Sequence, residues 1–90
     1  MELELRFFAT FREAAGQKIV HREFDDDVRT GDVLHAITEE YPEMTLFENG
    51  ELREYLTILR NGKDIEHLDG LDTTLSDGDE LSVFPPVAGG

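Results

Sequence analysis

Only one stretch of this chain carries a long helical stripe. In TGDVLHAITEEY (30–41), Val33, Leu34, Ile37 and Tyr41 recur at i, i+1, i+4 and i+8, and Pro42 ends the run. Thr30 is placed to cap this helix, and Asp32 sits at the positive end of its dipole. Elsewhere the apolar residues alternate or fall in short runs between turn residues. A lone amphipathic helix in a 90-residue chain must bury its stripe against a sheet, which predicts an α+β roll with the helix on one sheet face.

The strands follow from period two. ELELRFFAT (2–10) places Leu3, Leu5, Phe7 and Ala9 on one face and Glu2, Glu4, Arg6, Phe8 and Thr10 on the other. FREAAG (11–16) reads as a helical turn or loop closing at Gly16, and QKIVHREF (17–24) as a second strand hairpinned to the first. Asp25, Asp26 and Asp27 form a charged turn. Residues 43–54 read as polar and irregular, with a turn at Asn49–Gly50. YLTILRNGKDI (55–65) is a strand, an Asn-Gly turn and a short return. Turns at Asp69–Gly70 and Asp77–Gly78 precede a last strand, 80–84, with Leu81 and Val83 inward and Glu80, Ser82 and Phe84 outward. Residues 1–84 thus form one domain, followed by PPVAGG (85–90) as an extended, flexible tail.

Charge narrows the function classes. With 21 Asp+Glu against 8 Lys+Arg, the net charge of −13 repels phosphate backbones and anionic membranes, so neither nucleic acid nor membrane is expected as a partner. Acid excess with only two lysines suits a halophilic source, where salt screens the self-repulsion. The charged, alternating N-terminus is neither a signal peptide nor a membrane span, which makes the cytoplasm the expected compartment.

Resident chemistry is sparse. The chain has no Cys, so thiol catalysis and Cys-ligated metal are excluded. His21, His35 and His67 share no helical ligand spacing, and the Asp25–Asp27 and Asp77–Asp79 clusters lack the spacing of a calcium loop. No metal site is expected. Thr10, Ser76 and Ser82 have no nucleophile-elbow context, and Gly31 stands alone where a phosphate loop would need company. Intrinsic catalysis and a bound cofactor are not expected.

The tail carries the most specific signal. DGDELSVFPPVAGG (77–90) resembles the C-terminal signature of the MoaD sulfur carriers and of the small archaeal modifier proteins. LRFFATFREAAG (5–16) resembles their opening strand and turn, and LRNG (59–62) the third-strand turn of the archaeal modifiers. The resemblance implies a ubiquitin-like β-grasp, with a mixed four- to five-stranded sheet on one main helix. It also implies chemistry done to the chain. By the resemblance, an E1-like enzyme is expected to use ATP and Mg²⁺ to adenylate the Gly90 carboxylate. A lysine amine then takes the acyl group as an isopeptide, making the chain a protein modifier. The runner-up is attack by sulfide, giving a thiocarboxylate for molybdenum cofactor biosynthesis, with the large subunit of molybdopterin synthase as partner. One chain serving both roles, or a non-covalent adaptor, completes the alternatives.

Each tail residue suits that use. Gly89 and Gly90 lack Cβ and can thread a narrow channel, Val87 and Ala88 offer small apolar contacts, and Pro85 and Pro86 hold the tail extended. The pleat sends Phe84 and Phe8 to the face opposite the helix, with Leu59 and Tyr55 from the third strand beside them. Phe84 and Leu59 also resemble members of the recognition patch of ubiquitin. These residues are expected to form an exposed apolar patch at the tail root that docks the partner. Lys63 and Lys18 are the only lysines, hence the only side-chain isopeptide acceptors for chain building.

Overall fold

The computed structural model describes residues 1–86. In chain order the elements are β1 (Glu2–Phe7), α1 (Ala9–Ala15), β2 (Ile19–Glu23), α2 (Thr30–Glu40), β3 (Phe47–Glu48), β4 (Glu51–Leu52), β5 (Thr57–Arg60), β6 (Lys63–Asp64) and β7 (Glu80–Phe84). Two short 3-10 turns, Ile65–His67 and Gly70–Asp72, link β6 to β7. The main sheet runs β2-β1-β7-β5-β6, and β3 and β4 form a separate small hairpin. Five strands, mixed in direction, pack against α2 as the ubiquitin-like β-grasp requires.

The pleat reading of the two central strands holds. Leu3, Leu5 and Phe7 of β1 alternate inward with Leu81 and Val83 of β7, and all five are buried. They meet Val33, Leu34 and Ile37 from the helical stripe of α2, with Ile58 of β5 and Val20 of β2 completing the layer. Burial of this apolar surface is the main force holding the helix to the sheet. Register places Leu5 opposite Leu81 and Phe7 opposite Val83 in a parallel pair, while β5 runs antiparallel to β7.

Four local expectations are corrected. The first strand stops at Phe7: Ala9 is exposed, turns into a left-handed conformation (φ 51°) and opens α1. Phe11 anchors that short helix in the core, and Gly16 closes it at φ 75°. β1 and β2 are antiparallel neighbours, as expected, and the helical turn expected over 11–16 is the latter part of α1 that joins them. Thr30 is the first helical residue instead of the cap. It is fully buried, and its hydroxyl donates to the Thr73 carbonyl at 3.0 Å, tying α2 to the segment before β7. Asp32 does serve the helix start, accepting from the Arg29 amide at 3.0 Å.

The third correction concerns residues 43–54. They supply two fully buried core residues, Met44 and Leu46, and the β3–β4 hairpin around Asn49–Gly50. Met44 and Leu46 alternate over one step only and Phe47 breaks the alternation, so the run is too short to mark a strand and only tertiary packing identifies the pair as core. Phe47 leaves this hairpin to stack on His35 of α2, ring centroids 3.9 Å apart. The fourth concerns Tyr55, which lies outside β5 at φ 67° and is 82% exposed, so it does not continue the outward row of that strand.

Candidate functional site

β7 delivers the chain to the tail. Because β7 runs parallel to β1, both strands finish at the same end of the sheet, and Phe84 follows Val83 just as Phe8 follows Phe7. Both rings project from the face opposite α2 and stack, with centroids 4.1 Å apart and planes 10° from parallel. On the other side of β7, Thr57 of β5 faces Phe84 and Leu59 faces Ser82. The result is a shallow, predominantly apolar groove of about 550 Å³, lined by Phe8, Ala9, Thr10, Thr57, Leu59, Phe84, Pro85 and Pro86.

Phe8, Phe84 and Leu59 are thus brought together as expected, but the patch is half-buried rather than open. Each phenyl ring shields one face of the other, leaving edges and outer faces uncovered by the stack. Tyr55 is not part of this groove. It lies beyond Pro86, in a separate depression with Glu54, Asp64 and Glu66. Thr57, Ala9 and Thr10 are groove residues that the patch reading missed. Thr57 and Thr10 were legible, since they share strand parity with Leu59 and Phe8; Ala9, read as inward, reaches the groove through its left-handed turn.

The tail root is described through Pro86. Pro85 and Pro86 lie outside any strand and are half-buried against the groove end. Pro86 also lines the depressions on the Tyr55 side, so it sits on the divide between an apolar and an acidic surface. Val87, Ala88, Gly89 and Gly90 lie outside the described residues.

Farther from the tail, the same sheet face turns ionic. Arg6 bonds Glu4 at 2.5 Å and pairs with Glu80 at 3.1 Å, while His21 contacts Glu4 at 3.3 Å. The Arg6 hydrogen bond leads the effects holding the Glu4 carboxyl below its ordinary range, and Glu4 in turn raises Arg6. Being solvated, this network orders the rim of the face more than it stabilises the fold. Ile19, opposite Arg6 on β2, is one of two exposed large apolar residues among the described residues.

A more buried network fixes the β5–β6 turn. The Asp79 carboxylate accepts from Arg60 Nε, Asn61 Nδ2 (both 2.9 Å) and the Ser76 amide (2.7 Å). Burial pushes this carboxyl up, but Asn61, the Ser76 amide and Arg60 outweigh burial and hold it below its ordinary value. The LRNG turn is therefore a clamp onto the start of β7, the strand that carries the tail.

The remaining site residues are dispersed. Lys18, just before β2, and Lys63, opening β6, are both exposed. His21 bonds Glu4 and His35 stacks on Phe47; among the described residues no three His, Asp or Glu gather in a geometry able to hold a metal ion. No helix of the described residues is long and apolar enough to cross a membrane.

This arrangement, a β-grasp with an aromatic groove at the root of a Gly-Gly tail, coincides with a family match over nearly the whole chain. The model of the ThiS family matches residues 5–90. The chain belongs to the ThiS family. Among its ThiS-family relatives, small archaeal modifier protein 3 of Haloferax volcanii is 54% identical over the full length of both chains. The crystal structure of small archaeal modifier protein 1 from the same organism superposes with a TM-score of 0.86 at 36% identity, again covering all of both chains. A putative sulfur carrier protein of Archaeoglobus fulgidus is 40% identical over 64% of this chain and 66% of its own. The Haloferax relatives agree with the halophilic expectation drawn from the acidic excess. Modifiers and sulfur carriers thus both occur among the relatives of this ThiS-family chain.

Proposed function

We propose that this chain is a ubiquitin-like protein modifier whose working group is the Gly90 carboxylate. In this reading a cognate E1-like enzyme docks the Phe8–Phe84–Leu59 groove and draws residues 85–90 into its cleft. The carboxylate attacks the α-phosphate of Mg²⁺-bound ATP, pyrophosphate leaves, and an acyl-adenylate forms. A target lysine amine then displaces AMP, directly or through an enzyme-bound ester, and the isopeptide bond forms with loss of one proton from nitrogen. The free carboxylate is too poor an electrophile for this step, and adenylation supplies the leaving group.

The single observation that carries the proposal is the pairing of the Gly-Gly terminus with a groove built from the first and last long strands. A partner that covers half-buried aromatic edges gains apolar burial at the place where the tail departs. The 54% identity to a small archaeal modifier supports modification as the main role. Exposed Lys18 and Lys63 are the side-chain amines through which chains would grow.

Sulfur carriage is the second reading, favoured by the similarity to a putative sulfur carrier. There sulfide displaces AMP to leave a thiocarboxylate, and the large subunit of molybdopterin synthase takes the sulfur. Incubating the chain with its cognate activating enzyme, ATP, Mg²⁺ and sulfide separates the fates. Lys63 is the last lysine or arginine, so trypsin releases the whole 64–90 peptide. That peptide joined to a lysine Nζ of another protein supports the modifier. A mass gain equal to sulfur replacing oxygen at Gly90, without branched peptides, supports the carrier alone.

A further inference from the structure

The two Asn-Gly turns share a backbone conformation but differ in what holds the asparagine. Asn49 and Gly50 have φ 53° and 82°; Asn61 and Gly62 have φ 49° and 83°. Both turns close antiparallel hairpins, β3–β4 and β5–β6. The Asn61 side chain is clamped at both ends: Nδ2 donates to Asp79 Oδ1 at 2.9 Å, and Oδ1 accepts from the Glu80 amide at 2.8 Å. The Asn61 amide also donates to the Glu80 carbonyl at 2.9 Å. Asn49 is exposed at its hairpin tip, and among the described residues no hydrogen bond holds its side chain.

Asparagine before glycine is the most reactive setting for intramolecular deamidation, because glycine leaves its own amide nitrogen unshielded. The reaction needs the Asn Cγ to swing toward that nitrogen and the backbone to open. At Asn61 this requires breaking both side-chain bonds and loosening a hairpin integrated in the five-stranded sheet. At Asn49 no side-chain bond must break, and the hairpin has only two residues per strand outside the main sheet. Isolated two-stranded hairpins are the marginal elements of a fold and open locally.

We infer that Asn49–Gly50 is a spontaneous modification site and that the fold protects the otherwise equivalent Asn61–Gly62. The Gly50 nitrogen attacks Asn49 Cγ, its proton and the side-chain NH₂ depart as ammonia, and a succinimide forms. Water then opens the ring at either carbonyl, giving aspartate or isoaspartate with no change of oxidation state. Each event adds a negative charge in the surface depression that Asn49 shares with Pro86, at the root of the tail. The isoaspartate product also inserts a methylene into the hairpin backbone, disturbing the strand from which Phe47 stacks on His35.

The test is peptide mapping of the intact chain held in mildly alkaline buffer, folded in one arm and in denaturant in the other. Mass spectrometry follows replacement of NH₂ by OH at each asparagine, and isoaspartate is read by fragmentation. In the folded chain Asn49 is expected to convert at least about tenfold faster than Asn61, the scale set by local-opening differences. In denaturant the two rates should converge, because both are then unrestrained Asn-Gly pairs. Equal rates in the folded chain, or a rate ratio that persists unchanged in denaturant, would overturn the inference.

Discussion

The Phe8 and Phe84 rings lie 4.1 Å apart and nearly parallel, joining the end of the first strand to the residue from which the tail departs. That contact exists because β1 and β7 are parallel and in register, so two residues 76 positions apart become neighbours where both strands end. It makes the groove a consequence of the fold's central strand pair.

The first prediction concerns that stack. Phe84→Ala should weaken binding to the activating enzyme by about 1–3 kcal/mol, as expected of an interface anchor. It should also cost the fold about 0.5–1.5 kcal/mol through the lost ring pair, beyond any area term. Titration calorimetry and thermal melts of the same protein separate the two. A stability loss of the size seen for a fully buried core aromatic, about 3–5 kcal/mol, would place Phe84 in the core instead.

A second prediction tests the corrected reading of residues 43–54. Leu46 is fully buried, whereas Tyr55 nearby is 82% exposed. Leu46→Ala should destabilise by about 2–5 kcal/mol. Tyr55→Ala should stay within about 0.5 kcal/mol of the parent, because Ala keeps the Cβ that strains the left-handed position and only an exposed ring is lost. Denaturant midpoints at constant m-value check both.

What the sequence conveyed, and what it hid, follows the same physics. Strands β1 and β7 and helix α2 were legible because each carries a full period of apolar residues on one face. Phe8, Phe84 and Leu59 followed from parity alone, and the resemblance of the tail supplied its chemistry. Met44 and Leu46 were hidden because a single i, i+2 step followed at once by Phe47 is too short to show a period. Thr30 looked like a cap because its hydroxyl suits that role, but its partner, Thr73, is 43 residues away. Ala9 was assigned to the strand because alternation continues through it, and only a backbone turn moves it to the groove.

Acid sensitivity should centre on Asp79. Its folded carboxyl sits below the ordinary value of 3.8, because its hydrogen bonds outweigh the opposing effect of burial. A depressed folded pKa means that the contribution is fully present above the unfolded value and is lost as pH falls through the folded one. The parent chain should therefore keep this contribution down to about pH 4 and lose it progressively below. Asn61→Ala removes one of the bonds holding the pKa down, so its acid-unfolding midpoint should move to higher pH. Circular dichroism across an acid titration at fixed salt reads the shift; an unchanged midpoint would deny the clamp a role in acid stability.

Lysine usage gives a fourth prediction. Lys18 and Lys63 are the only side-chain amines, and both are exposed. If self-conjugates form through lysine, branch points should map to these two positions, and a Lys18→Arg/Lys63→Arg double variant should abolish them. Conjugation to other proteins should persist, because the donor end is untouched. Tryptic mapping of the conjugates reports both outcomes.

The central claim, that the Gly90 carboxylate is the working group, is tested most directly by ATP–pyrophosphate exchange with the cognate activating enzyme. The full chain should support exchange, and a chain lacking Gly89 and Gly90 should support none while keeping the same fold by circular dichroism. Equal exchange with and without the two glycines, or none with the full chain, would contradict the account.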